Sequence, residues 1–532
     1  MNFTALYSLA RQMLILLLLC PVLSFSQNYK WLLDKPLDYE LNPTMLNYQV
    51  TGNSAGEVYW IGISEVLQFY GIITFGDQFI EHLDQDGNVL ETSSITGKSF
   101  VVDLVCDANS DLYVLLNIKS DVLFDDGDVL TFTGSSYGSF IVKLDGISGI
   151  EWSKTFIGYS EGRCLAIDND GNLLVGSDDY GDSYLTAYSP SGELLYEIEQ
   201  LNVPVISSVD IDQDGNVYTT GSCAGTDAMY AGTQFENPFS YSKYLAKYNP
   251  QFEAEWVKYI EDITCTFPEV VCQEENQVYW SGDLFIPTQF DSISVPGPSW
   301  VFDFFLAKLD ASGVYQWVKD VSEESTGDAT INGKNFLSVD AQNNVCISGY
   351  TRGTVEWSDE ITTVTEGYGY DALAVAYSET GEVTWVVSGG GNSMDQTFGS
   401  YLDDSGNLYL TGFGTDTLMF GAISSYQDWV HPFLVSVQYG TSVSVADKKT
   451  SNSHVNIYPN PFSDWVTVEV GGHSKSVSEI NICDVSGVSL VRKSELTNKR
   501  AVIDLSSLSA GVYFIEVKTV SGERSFQKVI KQ

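Results

Sequence analysis

The chain has 532 residues, 70 of them Asp or Glu and only 26 Lys or Arg, for a formal net charge of −44. The excess is local: Gln27–Ala446 carries 14 basic against 61 acidic residues, whereas Asp447–Gln532 carries 11 against 9. So acidic a region repels phosphate backbones and anionic surfaces, which excludes nucleic acid as a partner, and 13% aromatics with 46 glycines favour many short strands and tight turns.

In chain order, Arg11 precedes the apolar run Met13–Leu23 and a small-x-small exit at Ser24–Gln27. A run this short reads as a secretory signal peptide, residues 1–26, cut between Ser26 and Gln27. Leu19 stands before Cys20 where a lipoprotein would want a small residue. No other stretch approaches the ~20 apolar residues of a membrane helix, so none is expected in the mature chain. Seven cysteines remain (106, 164, 223, 265, 272, 346 and 483) without a CxxC pair, so zinc is not expected, and Cys265 with Cys272 is the locally plausible disulfide.

From residue 27 a unit recurs. Its marker is an apolar–aromatic strand after a Gly or Asn turn: GEVYWIG, SDLYVLL, GNLLVG, GNVYTTG, NQVYWSG, NNVCISG and GNLYLTG, centred on Val58, Leu112, Leu173, Val217, Val278, Val345 and Leu408. The steps between markers are 54, 61, 44, 61, 67 and 63, a constant core with one variable loop. Each unit reads as four strands: an apolar segment ending near Asp, an Asp-Gly hairpin, the marker, then a strand such as FIVKLD (Phe140–Asp145) or FLAKLD (Phe305–Asp310), and a last strand carrying Trp. The seventh unit ends at Phe433–Gly440 without its Trp strand, and YKWLLDK (Tyr29–Lys35) at the other end supplies it. The expectation is an all-β fold, a seven-bladed β-propeller over 27–440 closed by the N-terminal strand. The units resemble the secreted propellers of the beta-propeller-repeat type, loosest in unit one, where Glu91–Gly97 carries no Trp.

A polar linker, 441–454, leads to NIYPNPFSDWVTVEV (Asn456–Val470) and further alternating strands, whose periodicity predicts a small β-sandwich over 455–532. YPNPF, CDVSG, LSSLSAGVYFIEV and the terminal KVIKQ resemble the Ig-like C-terminal sorting domain of type IX secretion, a system of the Bacteroidetes group of bacteria. The resemblance implies Sec export to the periplasm, recognition of 455–532 by the type IX machinery, passage through the outer membrane, removal of the tail, and release or surface attachment.

Catalytic signals are poor. Four histidines include no HExxH, and Gly134–Gly138 (GSSYG) precedes a strand rather than joining strand to helix. Asp210, Asp212 and Asp214 before Gly215 are spaced like a calcium loop, but the twelfth position is Gly221 rather than Glu, and turn formation already accounts for them. Calcium at these three carboxylates is the only cofactor the sequence raises; otherwise none is expected. The variable loops hold Trp300, Asp303, Trp357, Tyr370, Asp371 and Trp429, which would gather on the face opposite the Asp-Gly hairpins to grip a glycan or protein. The expected role is a non-catalytic binding protein, secreted or on the cell surface. The alternative is a secreted polysaccharide hydrolase or lyase using loop carboxylates and tyrosines.

Overall fold

Every marker becomes a strand at its turn: Val58–Tyr70, Leu112–Ile118, Leu173–Asp179, Val217–Ala224, Gln277–Leu284, Val345–Arg352 and Asn407–Phe420. The preceding aspartates make the turns. Asp212 Oδ1 accepts the backbone N–H of Asp214 and Asn216 (3.0 and 2.9 Å), and Asn216 Nδ2 returns to Oδ2; Asp84, Asp168 and Asp403 repeat the arrangement. The computed structural model describes residues 29–37, 47–438 apart from 71–72, 135, 157–160, 265, 274–276, 299–302, 322–324, 341–342, 360, 366–368 and 422, and 455–531 apart from 459–461, 471–476, 484–488, 495–499, 510 and 520–523. Among them every regular element is a strand. The chain divides into two compact units at Thr441/Ser442.

In the first unit, antiparallel sheets follow one another along the chain. Val205–Ile211, Val217–Ala224, Ser242–Tyr248 and Ala254–Glu261 make one; Glu269–Gln273, Gln277–Leu284, Asp303–Leu309 and Tyr315–Lys319 make the next. Between Tyr48 and Thr155 the boundary expected near Glu91–Gly97 is bridged: the strand Val89–Cys106 pairs through its first half with Ile73–Leu83 and through its second with Leu112–Ile118. The innermost strands touch in order around a closed circuit: Tyr48–Gly52, Val89–Cys106, Glu161–Ile167, Val205–Ile211, Glu269–Gln273, Leu337–Val339, Gln396–Leu402, and back to Tyr48–Gly52. This is a propeller-type fold, with apolar clusters between neighbouring sheets; Tyr48, Val50, Trp60 and Phe79 pack on Phe398, Tyr409, Phe413 and Leu434 where the last sheet meets the first.

Tyr29–Asp34 pairs along Ile423–Gln438, with Trp31 opposite Ser436 and Asp34 opposite Phe433. Asp34 also accepts hydrogen bonds from Ser425 and from Gln427 (2.8 Å). The half-buried Trp31 explains why the repeat ends in tryptophan. Its Nε1 donates to Gln85 O (3.1 Å) in the turn of the adjoining sheet, and a Cβ at Gly87 would stand 2.6 Å from its ring. Trp152, Trp256 and Trp317 donate likewise to Pro190, Ala311 and Glu379, each over a positive-φ glycine. Where Tyr196 replaces the tryptophan, Phe252 replaces the glycine, and the two rings stack at 3.8 Å.

The ring's interior is riveted by carboxylates, two of them, Asp103 and Glu269, fully buried. Asp103 accepts Leu165 N (2.8 Å), Asp210 accepts Cys272 N (2.6 Å) and Glu269 accepts Leu337 N (3.1 Å), each reaching the inner strand of the next sheet. Into this circle projects Asn332–Asn335, between two short strands that both pair with Val345–Arg352. Asn332 reaches Gln396, Lys334 Nζ donates to Ser207 O (2.7 Å), and Asn335 Nδ2 donates to Asp103 (2.9 Å) and Gln49 (3.3 Å) while its own N–H reaches Glu269 (2.5 Å). Four residues thus tie together strands from most of the circuit. Of the cysteines, Cys272 is a thiol rather than the bridge to Cys265 that spacing predicts; it is Cys223 that is disulfide-bonded.

In the second unit, Val455–Tyr458, Trp465–Val470 and Arg500–Asp504 form one sheet, and Ser489–Ser494, Val477–Cys483, Gly511–Thr519 and Arg524–Lys531 another. Ile457, Val466, Val468 and Ile503 of the first share one apolar cluster with Ile480, Ile482, Ile515 and Val517 of the second. Among the described residues no helix is long and apolar enough to cross a membrane.

Candidate functional site

Two of the loop residues singled out from the sequence, Tyr370 and Asp371, stand where Val345–Arg352 and Asp371–Tyr377 leave their sheet. Arg352 Nη2 pairs with Asp328 (2.7 Å), and its guanidinium lies 5.2 Å from the Tyr370 ring centroid with Nη1 3.3 Å from the Tyr370 hydroxyl. Asp371 follows, beside the glycine run Gly389–Gly391; a Cβ at Gly390 would stand 2.5 Å from Asp371 Oδ1 and 2.8 Å from Asp395 Oδ2, so glycine is what lets the two carboxyl groups approach. Asp395 is fully buried and accepts Gly391 N (2.7 Å) and Thr415 N (2.9 Å). Burial first, then Asp371 and Asp416, push its pKa up to about 7. His431, also fully buried, contacts Trp429 O through Nδ1 at 3.0 Å, and the Trp429 ring is half exposed.

The other loop residues go elsewhere. Trp357 turns inward with Val355, 9% exposed, its Nε1 donating to Thr363 (2.9 Å), so most of it packs in the core, and it borders a separate pocket beside Glu356, Asp359 and Tyr377. Asp303 is buried at the start of its strand, and desolvation, then Asp320 and Asp328, raise its pKa to about 8. Trp300, Ser26 and Gln27 lie outside the described residues. Nor do the three calcium candidates converge. Asp210 faces the next sheet, Asp212 is occupied by its own turn and by Tyr218, and among the described residues no group of three or more His, Cys, Asp or Glu is arranged to hold a metal.

These raised carboxyl pKa values carry a sign. A group whose folded pKa exceeds its unfolded one favours the folded state while protonated, so the contribution is complete below about pH 4 and lost as pH climbs through 7–8. Relief of repulsion among acidic side chains acts in the same direction. Thermal unfolding is therefore expected several degrees higher at pH 5 than at pH 8, and Asp303→Asn should flatten that dependence; a midpoint that rises with pH would contradict it.

On the same face, between Gly138–Asp145 and Leu173–Asp179, lies a cleft of about 890 Å³ that the sequence reading missed. Its wall includes Phe132, Gly134, Ser136, Tyr137 and Gly138, most of the segment dismissed as a failed nucleophile motif, with Glu161, Arg163, Asp178 and Tyr180 opposite. Arg163 forks onto Asp178 (Nε–Oδ2 2.6 Å, Nη2–Oδ1 3.1 Å) and touches Glu161 (3.0 Å), which also accepts the Tyr137 hydroxyl. Burial raises the Asp178 pKa, and the guanidinium opposes that shift. The available signal was scarcity: in a region with 14 basic residues, Arg163 and Arg352 each sit near a loop of this face.

Residues 456–532 match the family described as "Secretion system C-terminal sorting domain". The tail is a sorting domain. With it, the protein is marked for secretion to the cell surface or beyond, and the sorting domain's partner is the secretion machinery. Among curated proteins none matches the chain. Solved structures similar to it, each at 11% identity, include a Bacteroides caccae protein of unknown function (TM-score 0.32, 58% of this chain and 89% of that one) and the Agrobacterium tumefaciens calcium-binding protein regucalcin (TM-score 0.29, 58% and 83%). A Lactobacillus plantarum protein is similar over 66% of this chain and 89% of its own (TM-score 0.30).

Proposed function

We propose that the protein is a seven-bladed propeller with a sandwich-like sorting tail, exported through Sec and type IX secretion to act outside the cell as a non-catalytic binder of a glycan or protein. Counting Val89–Cys106 once in each of two sheets supports seven blades. The observation that carries the binding role is how the carboxylates of the loop face are held. Asp395 is fully buried under two backbone N–H groups and so is not presented to substrate, while Asp178 lines the cleft with both oxygens engaged by Arg163, which suits an acceptor held in place rather than a hydrolase's acid or nucleophile. Tyr370, Asp371, Trp429 and the cleft share the face on which such a ligand would dock.

The secreted chain, screened on a glycan array with and without calcium, is expected to bind without releasing reducing ends. Cleavage of a bound polysaccharide would replace this reading with the hydrolase. Deleting Val455–Gln532 should leave a folded propeller retained in the periplasm, seen by fractionation; its normal appearance outside the cell would contradict the export route.

A further inference from the structure

Resting on that binding reading, we propose that the cleft between Gly138–Asp145 and Leu173–Asp179 is a subsite for a neutral oligosaccharide. Its volume of about 890 Å³ falls within the roughly 300–1,000 Å³ of small-ligand sites, room for a few sugar rings. Aromatic rings line it. Tyr180 stands at the tip of the turn after Leu173–Asp179, 80% exposed and at φ +43°, a left-handed conformation uncommon for a tyrosine; Phe132, folded over Gly134 and Gly138, and Phe156 line the same space. The flat apolar faces of sugar rings pack on such surfaces.

The floor is a preformed hydrogen-bonding lattice. Arg163, Asp178, Glu161 and Tyr137 orient one another, so donors and acceptors alternate there before any ligand arrives. Vicinal hydroxyls, each donor and acceptor, match that alternation and lose little to reorganisation. One arginine against two carboxylates leaves the floor net acidic, in a region of 14 basic and 61 acidic residues. Sulfated, phosphorylated or uronic-acid chains are therefore disfavoured, and an uncharged saccharide fits. GSSYG acquires a role without a nucleophile: two glycines make room for the Phe132 ring, and the tyrosine hydroxyl anchors Glu161.

The test is native affinity electrophoresis of the full secreted chain through gels containing soluble β-glucan, xylan or mannan, with polygalacturonate as the anionic control and poly-lysine as a basic-polypeptide probe. At least one neutral polysaccharide should retard the protein, Tyr180→Ala should weaken that by about tenfold or more, and Leu194→Ala, at an exposed position outside the cleft, should not. Both side chains are exposed, so each variant should keep the wild-type unfolding temperature. Equal retardation of Tyr180→Ala and wild type would overturn the cleft while leaving surface binding intact. Binding of poly-lysine or polygalacturonate alone would overturn the neutral saccharide but not the binding role. Retardation by none of the probes, together with a blank glycan array, would remove both.

Discussion

Deleting Asn28–Lys35 is expected to lower the unfolding temperature by on the order of 10 °C, far more than trimming a loose end. The loss is physical rather than positional. Tyr29–Asp34 leaves the whole edge of Ile423–Gln438 unpaired, Lys35 no longer reaches Glu81, and the Trp31 ring vacates its place against Tyr409 and over Gly87. Trp31→Ala alone removes the ring and its hydrogen bond to Gln85 and should cost about 2–3 kcal/mol, below a full core tryptophan because the side chain is half-buried. Supplying the deleted strand as a synthetic peptide should restore part of the loss. Unchanged melting of the deletion would mean that the ring does not depend on its seam.

The second large effect is expected at the hub. Glu269 is buried, accepts the N–H groups of Asn335 and Leu337, and has its pKa raised to about 7 by desolvation, with Lys334 opposing. Glu269→Ala strands two backbone donors and removes a counter-charge of Lys334, for a loss of about 3 kcal/mol or more in denaturant midpoint experiments. Glu269→Gln keeps one acceptor oxygen and should lose roughly half as much. A Glu269→Ala protein as stable as the parent would show that Asn332–Asn335 does not bind the sheets together.

How much of this was legible beforehand depended on repetition. The strand markers, the Asp-Gly turns and the completion of the last unit by Trp31 could be read because several copies carry the same residues for one geometric reason. The hub could not, because Asn332–Asn335 occurs in a single unit; its only trace is the longest marker step, 67 residues between Val278 and Val345. The inward turn of Trp357 could have been read in advance. Alternation along Thr354–Ser358 puts it on the same side as Val355, facing the core. The cleft was illegible for another reason: Tyr137 leads into one sheet while Arg163 and Tyr180 belong to the next, and only the circular arrangement makes them neighbours. The same holds for Asp371 and Asp395, whose approach through Gly390 has no local sequence mark beyond a run of glycines.

The hydrogen bond between Asp34 and Ser425 spans 391 residues. Entropy charges for so long a closure only logarithmically, which makes it tolerable at equilibrium; its burden falls on time. A chain emerging N-terminus first cannot complete its earliest strand's pairing until almost the whole ring has followed, and meanwhile the bare margin of Ile423–Gln438 is a template for any stray strand, including that of a second molecule. Maturation outside the cell is thus a race between self-closure and exchange with a neighbour, and domain-swapped dimers are the by-product to look for when the protein is refolded at high concentration.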